Sequence, residues 1–341
     1  MLIENGFDLW NKKGGRTERQ MDRNLKILLN SVSRTFALSL QTLPVKQKDF
    51  VGVCYLVARV ADTISDSGGW PASLRARLLK SWHQAIQLDH RFQLKESVGT
   101  FSEREARLLL DSDKILALYR GLASGDWRVF ADEVFETLFS GMQRLVQARA
   151  SYDGSKIVQP HLRADEFDWY CYTHAGCVGR FWNQIFELPV DLEQMAILYG
   201  KALERVNIFR DLKEDWDQGL LLLDHEGMKE FDLNASRPPW LQPGWRSFSE
   251  SYLSKTRSML LSGANYCDSI PYLRFRLRLA SQMPFRLGWQ SLDFYGQDPV
   301  GQVDQSKIDR RIVKREFRSA VCSLWRKSNL TRTHQKKRLS G

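Results

Sequence analysis

Apolar residues recur at three- and four-residue intervals along most of the chain, a spacing that predicts amphipathic helices. The pattern is clear in NLKILLNSVSRTFALSL, SLRARLLKSWHQAIQL, EREARLLLDSDKILALYRGL and VFADEVFETLFSGMQRLVQARA. It returns in EQMAILYGKALERVNIFRDL and YLRFRLRLASQMPFRLGWQSLDFY. No run alternates with the period of a strand and no hairpin signature occurs, so no sheet is expected. Pro44, the Gly68-Gly69-Trp70-Pro71 stretch and Asp153-Gly154-Ser155 read as turns, and residues 234–246, NASRPPWLQPGWR, as the clearest loop. No shift in composition divides the chain. The expectation is one all-α domain over residues 23–325, with a polar N-terminal segment at 1–22 and a basic tail at 326–341.

One place breaks the apolar pattern in an informative way. The stretch FVGVCYLVA reads as a buried helix, yet it runs directly into RVADTISDSG. Residues three or four apart share a helix face. Tyr55, Arg59, Asp62 and Asp66 therefore form one stripe. A second stripe lies in ERVNIFRDLKEDWDQG, where Asn207, Asp211 and Asp215 align, Glu204 joins from the turn before, and Arg210 and Glu214 flank it. A single DxxxD is usually a solvated helix face with salt bridges. Two of them, each beside strongly apolar residues, ask for partners, because an unpaired carboxylate is costly to bury. A hard cation is a natural partner: Mg²⁺ takes oxygen ligands and is held by few carboxylates plus substrate phosphates. Arginines Arg34, Arg59 and Arg210 would serve the same phosphates through bidentate bonds.

Composition narrows the classes without choosing among them. Of 341 residues 43% are hydrophobic and 26% charged, as in an ordinary globular protein. The 11% aromatic content, with 11 Trp and 18 Phe, suits either a bulky core or a wide apolar cavity. The net charge of +10 attracts polyanions: nucleic acid, anionic lipid or phosphorylated substrates. No nucleic-acid motif accompanies it, and a diphosphate substrate explains it equally well. The five cysteines, at 54, 171, 177, 267 and 322, are odd in number and include no CxxC, which points to reduced thiols rather than a disulfide frame or a zinc site. The first residues lack the apolar core of a signal peptide, and no apolar run approaches a bilayer span. A cytoplasmic protein is expected, with peripheral membrane contact through the basic tail as a sharper reading.

SVSRTFALSLQTLP, YLVARVADTISD, YCYTHAGCVG and NIFRDLKEDWDQG, in this order and spacing, resemble the successive motifs of the squalene and phytoene synthase family, and MPFRLGWQSL resembles its late helix. The resemblance covers about residues 25–320. SRTFAL, ADTISDS and SKIDRRIVKREF are closer to bacterial squalene synthases than to carotenoid enzymes. The resemblance implies an all-α isoprenoid synthase fold around a central apolar cavity, and the head-to-head joining of two prenyl diphosphates through a cyclopropyl diphosphate. By motif position it implies Asp62, Asp66, Asn207, Asp211 and Asp215 as Mg²⁺-site residues. It places Ser33, Arg34, Arg59 and Arg210 at diphosphate-contacting positions, and Phe36, Tyr55 and Tyr170 among the cavity aromatics. Tyr170 matches the tyrosine credited with acid–base or cation-stabilising work. Lys307 and Arg310 fall where squalene synthases carry basic residues near the phosphates of NADPH. Squalene formation requires that cofactor, whereas phytoene or dehydrosqualene formation ends in proton loss.

Two departures from the family pattern stand out. Glu204 replaces a common glutamine, and QGLLLLDHEG lacks the arginine, aromatic and proline of the usual loop, which leaves lid closure open. No GxGxxG occurs, but the family uses no Rossmann domain. The nearest alternatives are phytoene, dehydrosqualene or hydroxysqualene synthases of the same fold. A different class is a non-catalytic assembly protein of the family, but such relatives tend to lose the aspartates that are intact here.

Overall fold

The computed structural model describes residues 21–33, 36–150, 157–161, 163–299, 310–325 and 330–331. Among them are fourteen α-helices: α1 (Arg23–Ser33), α2 (Phe36–Thr42), α3 (Val45–Ser65), α4 (Ala72–Gln87), α5 (Glu103–Leu110), α6 (Ser112–Leu122), α7 (Asp126–Ala150), α8 (Ala164–Cys171), α9 (Cys177–Ile185), α10 (Glu193–Asp217), α11 (His225–Lys229), α12 (Trp245–Ser269), α13 (Phe275–Gln297) and α14 (Arg310–Trp325). The described residues contain no sheet; the one extended pairing is an isolated bridge between Val158 and Leu220. The all-α expectation holds, and α12 begins at Trp245, inside the end of the expected loop.

Two predicted segments are each split in two. The stretch over residues 24–40 becomes α1 and α2, with Arg34 and Thr35 outside the described residues. The stretch over 103–122 breaks at Asp111, whose carboxylate accepts from Arg107 Nε at 2.6 Å and from Lys114 Nζ at 2.7 Å. The apolar period runs straight through this break, because both halves bury the same side, so spacing alone could not reveal it.

α3 is buried over most of its length, from Phe50 to Ile64, and packs on α4, α6 and α7. α10 packs on α9, α12 and α13, and α7 touches both α3 and α9. α7 thus joins the α3 side of the bundle to the side built on α10. The α9–α10 approach is close because both helices carry glycine where they meet: a Cβ on Gly179 would lie 2.1 Å from the Ala196 carbonyl oxygen, and one on Gly200 2.2 Å from that of Ala175. Backbone cannot yield as a side chain can, so Gly200→Ala is expected to lower stability by about 1–3 kcal/mol, read as a shifted chemical-denaturation midpoint. An unchanged midpoint would mean that α10 slides without cost.

The loop after α10, expected at the cavity mouth, is firmly seated. Leu220, Leu221, Leu222 and Leu223 are all buried, and Leu221 N donates to Val158 O at 2.9 Å. Burying four leucines gives this segment a packing role in place of the arginine and proline it lacks.

Candidate active site: two acidic helix ends and a buried tyrosine

The first stripe leaves the last turns of α3. Tyr55 is half-buried and donates its hydroxyl to Val32 O at 3.2 Å, fixing α3 against α1. Arg59 forms an ion pair with Asp62 one turn on, and Glu105 of α5 stands 3.8 Å from the same guanidinium. Asp66 closes the helix, with its backbone N–H on Asp62 O at 3.0 Å.

The second stripe lies near the end of α10. Arg210 repeats the arrangement of Arg59: Nε donates to Asp211 Oδ1 at 2.8 Å, and a terminal nitrogen donates to Asn207 Oδ1 at 2.9 Å. Asn207 in turn donates to Glu204 Oε2 at 3.2 Å. In each stripe an arginine of the same helix occupies the first aspartate. Arg205, buried on the neighbouring face, anchors this part of α10. It lies over the Tyr252 ring at 4.2 Å and donates to Thr256 Oγ1 at 3.0 Å.

The two stripes face each other. The charge of Asp66 reaches Asp215, and those of Asp62 and Asp211 reach Glu204. Burial first, and then these neighbours, push Asp66, Asp215 and Glu204 each up to about 7. Asp66 is exposed to solvent, yet the protein crowded around it is the largest cause of its shift. Asp66 and Asp215 also sit at helix C-termini, where the macrodipole adds a further penalty for negative charge. Arg149, in the last turn of α7, attracts both. Arg59 also draws Asp66 down and Arg210 draws Glu204 down, yet all three acids stay well above the ordinary carboxylate range, so the oxygen-donor set is short of positive charge.

No group of three acidic, histidine or cysteine side chains closes on one point among the described residues. A preformed cage is not what Mg²⁺ needs, since it keeps waters and takes phosphate oxygens along with one or two carboxylates. The donors that fit such an ion are Asp62, Asp66, Asn207, Asp211 and Asp215, with Glu204 beside them.

Titration gives a direct check. The folded acids hold protons up to about pH 7, whereas the unfolded chain releases them near the ordinary carboxylate values. Between about pH 4 and 7 the unfolded state binds fewer protons, so these groups remove stability as pH rises. The melting temperature in EDTA is expected to fall across that window and level off above it, and Mg²⁺ at pH 8 is expected to raise it. A flat profile, or no response to Mg²⁺, would contradict the crowding of charge.

Tyr170 stands near enough to Glu204, Asp215 and Asp66 for them to hold its hydroxyl further above its ordinary range than burial alone. Its ring stacks on His174 at 3.9 Å and lies 4.7 Å from His161. Burial pushes both histidines down to about 4, so both are neutral at pH 7. His174 falls in a π-helical turn, Tyr172–Gly176, between α8 and α9. Such turns re-aim side chains and concentrate at functional sites.

Several predicted residues add less. Ser33 is buried and donates to Leu29 O at 2.5 Å, so its hydroxyl is turned into its own helix. Phe36 opens α2 and Arg310 opens α14, whereas Arg34 and Lys307 lie outside the described residues. Arg149, His161 and His174 escaped the sequence reading. None belongs to an acidic motif: Arg149 lies in the last turn of α7, His161 ahead of α8 and His174 in the turn after it, and only tertiary packing brings them to the site.

The bundle has the isoprenoid synthase fold. It superposes on a ligand complex of TcSQS with a TM-score of 0.70 at 20% identity, over 87% of this chain and 85% of that one. It also superposes on squalene synthase HpnC of Alicyclobacillus acidocaldarius with a TM-score of 0.59 at 15% identity, over 80% and 92%. The chain belongs to the squalene/phytoene synthase family, whose sequence model matches residues 29–293, a span that includes both acidic stripes. The squalene synthase of Schizosaccharomyces pombe is 28% identical over 222 residues, 62% of this chain and 46% of that protein. Inactive squalene synthase 2 of Arabidopsis thaliana is 29% identical over 196 residues, 55% and 43%. The chain spans less than half the length of these curated relatives.

Proposed function

We propose that the protein is a Mg²⁺-dependent prenyltransferase that condenses two farnesyl diphosphates head to head, through the cyclopropyl diphosphate, to squalene. One observation carries this reading: two acidic helix ends face each other, with their inner carboxylates held by arginines and their outer ones without an ion pair among the described residues. Squalene synthases among the relatives support the choice of product.

Bound there, Mg²⁺ supplies a Lewis acid that stabilises the charge developing on the departing diphosphate. Asp62, Asp66, Asn207, Asp211 and Asp215 would hold it. Arg59 and Arg210 bring planar forks to the same oxygens, already placed by Asp62 and Asp211, so little reorganisation is needed as charge develops. At about 4 Å and an effective dielectric near 20, each such pair contributes roughly 4 kcal/mol, although the contributions do not simply add. Tyr170 offers its ring face to positive charge on the substrate and keeps its proton, because burial and the nearby acids oppose its ionisation.

NADPH as the reductant is part of the proposal, with Lys307 and Arg310 as its phosphate partners. The reaction is tested by incubating the protein with farnesyl diphosphate and Mg²⁺, with and without NADPH, and identifying the products by mass spectrometry. NADPH-dependent squalene is expected. A condensed product that ignores NADPH would move the protein to the phytoene, dehydrosqualene or hydroxysqualene side of the family, and no condensation at all would point to a non-catalytic role.

A further inference from the structure

At the turn between α12 and α13, three large apolar side chains in a row of four stand in solvent. Leu273 is 95% exposed, Phe275 57% and Tyr272 43%. This is no frayed end. Arg278, itself buried, donates to the carbonyls of Asp268 and Ile270 at 2.8 Å each and to Asp268 Oδ1 at 2.9 Å. Its guanidinium lies 4.5 Å from the Tyr272 ring centroid, so the turn is braced from beneath. Arg276 donates from Nε to Thr42 O at 2.8 Å, which brings in the start of α3, where Val45 is also 56% exposed.

Cations predominate among the charges around these side chains. Arg274 sits between Leu273 and Phe275. Lys48 feels the repulsion of both Lys26 and Arg276, so these cations share one region. The acids at its edge are engaged: Asp49 is buried and accepts from Met21 N, and Asp268 is taken by Arg278. Asp268 also accepts from Thr331 N at 2.9 Å. The sequence beyond Thr331 is basic, with Arg332, Lys336, Lys337 and Arg338.

Exposed leucine and aromatic side chains set among lysines and arginines fit a surface that is apolar inside and negative outside. We infer that the face made by Tyr272, Leu273 and Phe275, with Val45 and the cations Arg274, Arg276, Lys26 and Lys48 around it, docks the protein peripherally onto an anionic lipid bilayer. Leu273 and Phe275 enter the acyl boundary, and the cations meet the headgroups. The inference goes beyond the proposed reaction and does not depend on it. It would also set the enzyme against the phase in which an uncharged hydrocarbon dissolves.

The test is co-sedimentation of the full chain with vesicles, either of phosphatidylcholine alone or with about 30% phosphatidylglycerol, the anionic component supplying the headgroup charge. The wild type is expected to pellet with the anionic vesicles, and to release them as salt is raised. Leu273→Glu with Phe275→Glu should lower the partition at least about tenfold, and Arg274→Gln about fivefold. All three side chains are partly or fully exposed, so the variants should keep the wild-type melting temperature, which circular dichroism checks. If the wild type stays in the supernatant, the inference falls. It falls equally if the double variant pellets like the wild type, since the tail alone would then bind. If sedimentation shows instead a dimer that the double variant loses, the face joins two copies and not a bilayer.

Discussion

Replacing Asp66 and Asp215 together by asparagine is expected to make the metal-free protein more stable at pH 8 and to abolish its turnover. The two effects have one cause. Each carboxylate is pushed up to about 7 by burial and by acidic neighbours, Asp62 beside Asp66 and Asp211 with Asp66 beside Asp215. An amide of the same shape removes that repulsion and the penalty of a negative group at a helix C-terminus. The melting temperature should therefore rise by a few degrees in EDTA, and its decline between pH 4 and 7 should flatten. The same change takes two anionic ligands from the diphosphate site. A loss of about 4 kcal/mol of transition-state stabilisation corresponds to a rate lower by about 10³. Melting scans and product assays on one preparation read both. A variant that is destabilised and inactive would indicate ordinary structural salt bridges; one that is stabilised and fully active would remove the metal from the acidic faces.

Arg59→Lys and Arg210→Lys are each expected to weaken binding of a non-hydrolysable prenyl diphosphate by about 10- to 100-fold, although both keep the charge. A lysine ammonium cannot form the planar two-pronged contact that a guanidinium makes with phosphate or carboxylate, and a bond to a charged group contributes about 1.5–3 kcal/mol. In the structure Arg210 already uses the fork, with one edge along Asp211 and another nitrogen on Asn207. Calorimetric titration separates binding from chemistry. Unchanged affinity in both variants would make these arginines structural braces of their own helices.

The division between what the sequence reveals and what it hides follows from distance along the chain. The contents of each stripe depend on one helix at a time, so Tyr55, Arg59, Asp62 and Asp66 could be aligned from spacing alone, and Asn207, Asp211 and Asp215 likewise. That the stripes oppose each other depends on how α3, α7 and α10 pack. α10 reaches α7 through α9 and the π-helical turn, where Gly179 and Gly200 let the backbones nearly touch. No local pattern encodes that meeting. Arg149 was invisible for the same reason: it ends a helix that carries no acidic motif. The sequence flagged Glu204 as a departure from the family pattern but could not say that burial raises it to about 7. The leucine run at 220–223 looked like an altered lid, and its burial emerged only with the bridge to Val158. The π-helical turn that carries His174 to Tyr170 lies in YCYTHAGCVG, which the sequence marked only as a motif.

The most direct measurement is a calorimetric titration of farnesyl thiodiphosphate into the protein at pH 8, once with Mg²⁺ and once with EDTA. If the two acidic faces hold a diphosphate through a divalent cation, binding should be tight with Mg²⁺, weaker by at least about 100-fold without it, and absent in the Asp66→Asn, Asp215→Asn protein even with Mg²⁺. Equal affinity in Mg²⁺ and in EDTA, or unaltered Mg²⁺-dependent binding by that double variant, would contradict it.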